Sequence, residues 1–205
     1  MMEIAIDGPA ASGKTTLGRE LARRFGCLFV ETGKMYRAVA LGLEQGLALD
    51  AIQVDMDEAG RTRLNGEDVS DLLHTPALDQ ASSRVATQPA VRKRLVALQR
   101  GIAVAHDVVM EGRDIGTVVL PNADVKLFLQ ASPRERALRR ARQRHESNVE
   151  EILAEILARD ERDRTRAVSP LNPATDAITI DTDSKSLAQV IREAVDLVEG
   201  RLGGR

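Results

Sequence analysis

The chain has 205 residues, 43% of them hydrophobic and 29% charged, and a formal net charge of −2 at pH 7. That length allows one well-packed domain without forcing a second, and the near-neutral balance excludes a surface coated in basic residues for nucleic acid. Tryptophan is absent, and one tyrosine and three phenylalanines are too few for the stacking platforms of single-strand binders.

The first element is "EIAID", Glu3–Asp7, a short apolar run read as a strand. No basic segment or long apolar core marks a secretion signal, and no stretch has the length of a membrane span, so the cytoplasm is the expected compartment. A helix follows, with Leu17, Leu21 and Phe25 recurring every four residues and Gly26 where a C-cap belongs. Cys27, the single cysteine, excludes an internal disulfide and is expected to be a small buried hydrophobe. Leu28–Thr32 reads as the second strand. Between about Leu47 and Leu78, polar residues and turn signals at Ala59-Gly60 and Asn65-Gly66 predict a hairpin-bearing insertion.

Three further strands are expected at Val108–Glu111, Val125–Gln130 and Ala177–Asp181. Each is apolar on successive residues, as in strands covered on both faces. A final helix spans about Ser186 to Leu202, with Leu187, Val190, Ile191, Ala194 and Leu197 on its apolar face. Strands alternating with helices predict a parallel sheet wrapped on both sides.

Chemistry concentrates first in "GPAASGKT", Gly8 to Thr15, which matches G-x-x-x-x-G-K-[ST] between a strand and a helix. Glycines let backbone amides turn toward a phosphate, and the helix N-terminus adds its positive dipole end. Lys14 supplies an ammonium for the β- and γ-phosphates, and the Thr15 hydroxyl can ligate Mg²⁺. No guanine-reading N-K-x-D string occurs. The third strand runs into "EGRDIG", which brings Glu111, Arg113 and Asp114 to the carboxyl edge of the sheet, where open α/β folds bind ligands. The second strand ends in "ETGKMYRA", with Tyr36 and Arg37 in the first turns of a helix.

Of the 29 basic residues, 24 are arginine, the side chain that grips phosphate and carboxylate with a planar fork; a genome's own composition bias produces the same skew. In "ARDERDRTRA", Arg159, Arg162, Asp163 and Arg166 share one side of a helix, while Asp160, Glu161 and Arg164 read as solvated. Arg136, Arg139, Arg140 and Arg144 repeat nearly the same spacing upstream. His74, His106 and His145 stand at no metal or triad spacing and read as structural or exposed.

With "IAIDGPAASGKTT", "ETGKMYRAVAL", "LNGEDVSDLLHTPALDQASSRVATQPAVR", "EGRDIGTVVLPNADVKLFLQASPRERALRR" and "RDERDRTRAVSPLNPATDAITIDT" taken together, the chain resembles the bacterial cytidylate kinases over essentially its whole length. The resemblance implies a P-loop nucleoside monophosphate kinase fold with a five-stranded parallel sheet in a single domain. It adds an acceptor-nucleotide insertion at about 33–100 and a helical lid at about 143–167. It also implies Mg²⁺-assisted transfer of the γ-phosphate of ATP to CMP or dCMP. ATP would lie against Gly8, Pro9, Ala10, Ala11, Ser12, Gly13, Lys14, Thr15 and Thr16, with Arg136 and Arg140 from the lid side. Thr32, Tyr36 and Arg37 would line the acceptor pocket, and Ser83, Arg92 and Asp114 would read the cytosine edge. Arg113 and Arg166 would reach phosphates, and Arg159 and Asp163 the sugar; Lys14, Arg113, Arg159 and Arg166 are the expected catalytic set.

The chain departs from the family in two places. Glu31 stands where an aspartate is more frequent, and the insertion is short between Leu49 and Ile52. Asp7 or Glu111 would orient the waters of Mg²⁺. The expected partners are nucleotides, with no nucleic acid and no membrane, and the expected state is a monomer. Two rival readings stay open at this level: a P-loop kinase for UMP, AMP or a metabolite hydroxyl, and a nucleotide-dependent switch or ATPase.

Overall fold

The computed structural model describes residues 1–203. Five strands, β1 (Glu3–Asp7), β2 (Leu28–Glu31), β6 (Val108–Gly112), β7 (Val125–Gln130) and β8 (Ile178–Asp181), form one parallel sheet in the order β2-β6-β1-β7-β8. All five sequence-predicted strands are present, with ends shifted by at most one residue. A second, antiparallel sheet of β3 (Val54–Met56), β4 (Thr62–Leu64) and β5 (Glu67–Asp68) lies in the predicted insertion. Asn65 and Gly66 both take positive φ, 50° and 86°. That is the two-residue turn whose twist matches a hairpin, and it joins Leu64 to its partner Glu67.

Period-two alternation along each strand fills a core on both sides of the main sheet. Ala5, Val108 and Met110 face one layer with α2 (Thr32–Glu44), α3 (Pro76–Val85) and α4 (Pro89–Ala105). Ile4, Ile6 and Val109 face the other, with α1 (Lys14–Phe25) and α7 (Leu187–Leu202). Gly26, at φ 68°, ends α1 by donating to the Ala22 carbonyl, and Ser186 with Gln189 builds a capping box at the start of α7. α7 buries Val190, Ala194, Val195 and Val198, but Leu187, expected on that face, is 53% exposed. As the first residue of the helix it precedes the turn that reaches the sheet. Cys27 is half-buried rather than interior.

A third, small apolar cluster joins α5 (Pro133–Arg144) to α6 (Val149–Thr165) through Ala137, Ala141, Ile152 and Ile156. This helical hairpin stands over the carboxyl end of the sheet and meets α3 across the cleft. Because β1 is central and the chain crosses from the β6 side to the β7 side around it, the P-loop sits at the topological switch point.

Candidate active site

Asp7 ends β1 level with Gly112 of β6, and Glu31 ends β2 level with Glu111. Parallel register therefore places three carboxylates and the start of the P-loop along one edge. The loop needs its glycines: Gly8 has φ 147°, and a Cβ there would lie 2.3 Å from the Leu129 carbonyl oxygen. Gly13, at φ 97°, starts α1. Pro9, Ala10, Ala11 and Ser12 form the turn between them, and Ser12 Oγ is buried without a hydrogen-bond partner. Lys14 bends back to donate to the Pro9 carbonyl at 2.8 Å. Burial, with help from Arg113 and Arg159 and against Glu111 and Asp7, lowers its ammonium to about 7.

Thr15 Oγ1 donates to Glu111 Oε1 at 2.5 Å, while Thr16 is exposed. Asp7 is 4% exposed and accepts from the backbone amides of Ile115 and Gly116 at 2.8 and 2.7 Å. Burial raises its carboxyl to about 6 in spite of those amides. Of the two acids considered for Mg²⁺, Asp7 is thus tied to the turn after β6 and Glu111 faces the Thr15 hydroxyl. Among the described residues no group of three or more His, Cys, Asp or Glu could hold a metal by itself. A hydroxyl beside one buried carboxylate fits a cation held mainly by substrate phosphates and water.

The expected acceptor residues gather beyond β6. Arg92 of α4 and Asp114 are both buried and form an ion pair, and the Arg92 guanidinium lies 6.0 Å from the Tyr36 ring centre. Arg166 Nη2 approaches Asp114 Oδ1 at 3.6 Å and has no hydrogen-bond partner; Ser83 Oγ is likewise buried and unpartnered. Thr32 donates to the Glu111 carbonyl at 2.7 Å, which pins the start of α2 to β6. Arg37 is paired with Glu31 at 3.3 Å, so the glutamate in this turn holds a cleft arginine. Arg113 pairs with Asp163 of α6 at 2.9 Å rather than with its neighbours Glu111 or Asp114. Asp163 also lies 4.0 Å from Arg159. Burial tends to raise its carboxyl, yet Arg113, Arg159 and Arg166 hold it below the usual range. The Arg159 guanidinium, buried and facing Arg113, is lowered to about 10.

Two expectations need correction. Asp160 is not solvated: it is 1% exposed and takes the Arg136 guanidinium on both oxygens, at 3.1 and 2.5 Å. Arg136, read as an ATP contact, is itself 2% exposed and also donates to the Ala131 and Ala10 carbonyls at 3.0 and 3.1 Å. Its donors are taken up inside the protein, so it clamps α5 to α6 and to the back of the P-loop. Arg140 turns to Asp79 of α3, a residue that sequence reasoning missed. Asp79 is an ordinary first-turn acid after the Thr75 cap, and nothing local announces the arginines that meet it. A cavity of about 600 Å³ on the outer side of β2, lined by Arg19, Cys27, Lys34 and Arg61 among others, contains none of the P-loop residues.

A P-loop at the switch point of a five-stranded parallel sheet, facing a cleft lined by arginines, defines a P-loop kinase. Solved structures share the fold: a gluconokinase from Sinorhizobium meliloti (TM-score 0.55, 18% identity, 98% of this chain and 93% of that one) and a shikimate kinase from Bacteroides thetaiotaomicron (TM-score 0.51, 16% identity, 98% of each). The chain belongs to the cytidylate kinase family, whose family model matches residues 4–200. It is 46% identical to the cytidylate kinase of Pelotomaculum thermopropionicum, over 94% of this chain and 93% of that protein. It is also 46% identical to that of Mycobacterium leprae, over 98% and 96%.

Proposed function

We propose that this chain phosphorylates CMP and dCMP, transferring the γ-phosphate of ATP directly to the acceptor phosphate to give CDP or dCDP and ADP. The observation that carries the reading is the pairing of two pockets on one sheet edge. The P-loop cradle with Lys14 lies on one side, the buried Arg92–Asp114 pair with the Ser83 Oγ and Arg166 Nη2 that lack hydrogen bonds on the other, and Arg113 and Arg159 lie between them. Cytosine presents an exocyclic amine beside two acceptors, and a carboxylate next to a guanidinium complements that edge. Uracil reverses part of the pattern and leaves buried polar groups unpaired, so the pocket discriminates against it.

The acceptor phosphate has a second pKa of about 6, so at neutral pH its oxygens are nucleophilic without a base. The cleft fits that requirement. Asp163 and Asp79 are held ionised by arginines, Asp114 is paired with Arg92, and Asp7 is occupied by backbone amides. Catalysis then consists of alignment and charge neutralisation. Lys14, Arg113, Arg159 and Arg166 hold the phosphates in line, and Arg37 orients the acceptor. Thr15 and Glu111 would hold Mg²⁺, which neutralises charge on the donor phosphates when bound.

In this reading residues at about 143–167, α6 and the turn before it, form a lid and residues 33–100 an acceptor-binding insertion, and together they keep water from the transferring group. Among the described residues no helix is long and apolar enough to cross a membrane. We place the enzyme in the cytoplasm, acting as a monomer, because one chain supplies both pockets. The test is a coupled ADP-release assay across CMP, dCMP, UMP, AMP and shikimate. The expected result is turnover of CMP and dCMP well above the rest; UMP or shikimate at equal or higher kcat/KM overturns the reading.

A further inference from the structure

Asp79 is surrounded by four guanidiniums from three helices. Its Oδ1 lies 3.1 Å from Arg37 Nε of α2 and 3.9 Å from Arg159 Nη1 of α6. Its Oδ2 accepts from Arg140 Nη2 and lies 3.7 Å from Arg144 Nη2, both of α5. Next to it, Gln80 Oε1 accepts from Arg162 of α6 at 2.7 Å. The first turn of α3 is thus where the helical hairpin meets the opposite wall of the cleft. A helix N-terminus favours the carboxylate there.

The cluster is more cationic than Asp79 can satisfy. Other acids take part of it: Glu31 on Arg37, Glu155 on Arg144 and Asp163 on Arg159. Still, Arg159 Nε is buried with no hydrogen-bond partner, 4.0 Å from Asp163, and Arg37 Nε makes no hydrogen bond even though Asp79 Oδ1 lies 3.1 Å away. Buried charged donors left unmade are costly, and their usual explanation is a ligand. One carboxylate offers two oxygens and a single charge; a phosphoryl group offers three oxygens and nearly two charges.

We infer that Asp79 is a positioning residue that stands in for phosphate. It gathers Arg37, Arg140 and Arg159 across the cleft before substrate arrives, and gives them up to a phosphoryl group when one enters. The inference rests on the reading of these arginines as phosphate ligands. With Asp79 in place, like-charged arginines are held together on closing helices without flying apart. Once phosphate is present, the same carboxylate opposes it, so Asp79 sets the acceptor's affinity below what the arginines alone would give.

The test uses inorganic pyrophosphate as the probe, by calorimetry at fixed ionic strength, with Asp79→Asn and Asp79→Glu in the full chain. Asp79→Asn keeps the shape and removes the charge. It should bind pyrophosphate about three- to tenfold tighter and lower the KM for CMP in the same proportion. In the free protein, amide hydrogen exchange across residues 133–165 should be faster than in wild type, and equal to it once pyrophosphate saturates the site. Asp79→Glu should restore wild-type affinity and exchange. A merely structural ion pair predicts weaker binding and faster exchange in both states; unchanged or weaker pyrophosphate binding by Asp79→Asn therefore overturns the inference. Arg37→Ala and Arg159→Ala separate the two levels. If they bind pyrophosphate as well as wild type, the assignment of phosphate-binding arginines has failed, and with it the premise about Asp79.

Discussion

The Arg136–Asp160 pair offers the sharpest energetic test. Both side chains are 2% exposed, and the guanidinium is held by the carboxylate at 3.1 and 2.5 Å and by two backbone carbonyls. Asp160→Asn keeps the volume but removes the charge that compensates a buried cation. Breaking such a pair costs about 3–5 kcal/mol, because the remaining ion keeps its desolvation penalty. For a chain of this size about 1 kcal/mol corresponds to 2–4 °C in Tm, so the melting temperature should fall by roughly 6–20 °C. An internal control is Arg134–Glu150, whose side chains are 65% and 69% exposed; its Glu150→Gln counterpart should lose at most about 1 kcal/mol. The double variant Arg136→Met with Asp160→Leu removes both ions and should regain most of the lost stability. It cannot replace the Arg136 bond to the Ala10 carbonyl, so its KM for ATP should stay raised while its fold recovers. Thermal and urea denaturation followed by ATP saturation kinetics measure both halves. A loss below about 1 kcal/mol in Asp160→Asn would refute the claim that this pair is desolvated.

Three further outcomes follow from the site. Lys14, lowered to about 7 by burial and its arginine neighbours, is largely neutral in the free protein at pH 8.5, and triphosphate oxygens favour its charged form. ATP binding at that pH should therefore take up close to one proton, with affinity falling as pH rises above about 7; calorimetry in buffers of different ionisation heat reads it, and zero uptake refutes the shift. Gly8→Ala puts a Cβ 2.3 Å from a backbone oxygen at φ 147°, so it should abolish ATP binding or folding, checked by circular dichroism and nucleotide titration; a folded, ATP-binding variant contradicts the loop geometry. Arg166→Ala removes a guanidinium whose Nη2 faces Asp114 without a hydrogen bond and whose Nε donates to the Ser169 carbonyl at 2.5 Å; it should lower kcat with CMP about 10²–10³-fold while the chain stays folded by circular dichroism, and near-normal turnover removes Arg166 from the catalytic set.

The main sheet was legible because its signal is local. An apolar strand covered on both faces declares itself in four to six successive residues, and Gly8, Gly13, Gly26, Asn65 and Gly66 each sit where positive φ is required. The P-loop was legible for the same reason. The partners of the arginines were not. Arg92 meets Asp114 and Arg113 meets Asp163, pairings separated by tens of residues that only the stacking of α4, β6 and α6 on one edge brings about. Spacing along α6 identified a helix side but could not say what faced it. Asp160 and Asp163 stand three residues apart in the same charged run, and helical spacing separated them by face but read Asp160 as solvated. One closes on Arg136 beneath the P-loop and the other on Arg113 in the cleft.

That division has a physical cause in the small apolar seam between α5 and α6. Ala137, Ala141, Ile152 and Ile156, with Val149 and Leu153 packed against them, make a far smaller cluster than either layer of the main core. Hydrophobic packing here is supplemented by a buried ion pair, which breaks the usual inference from charge to exposure. A seam this small is compatible with the lid proposed above. The hairpin is held to the P-loop by the buried Arg136–Asp160 pair, whereas its contacts to the opposite wall through Asp79, Gln80 and Asp114 are polar and, on the proposed reading, open to competition from nucleotide phosphates. A large apolar interface would offer them nothing to replace. If the proposed function holds, the abundance of arginine serves two ends in one helix pair: a clamp on the inner side, and contacts exchangeable for phosphate on the side that faces the cleft.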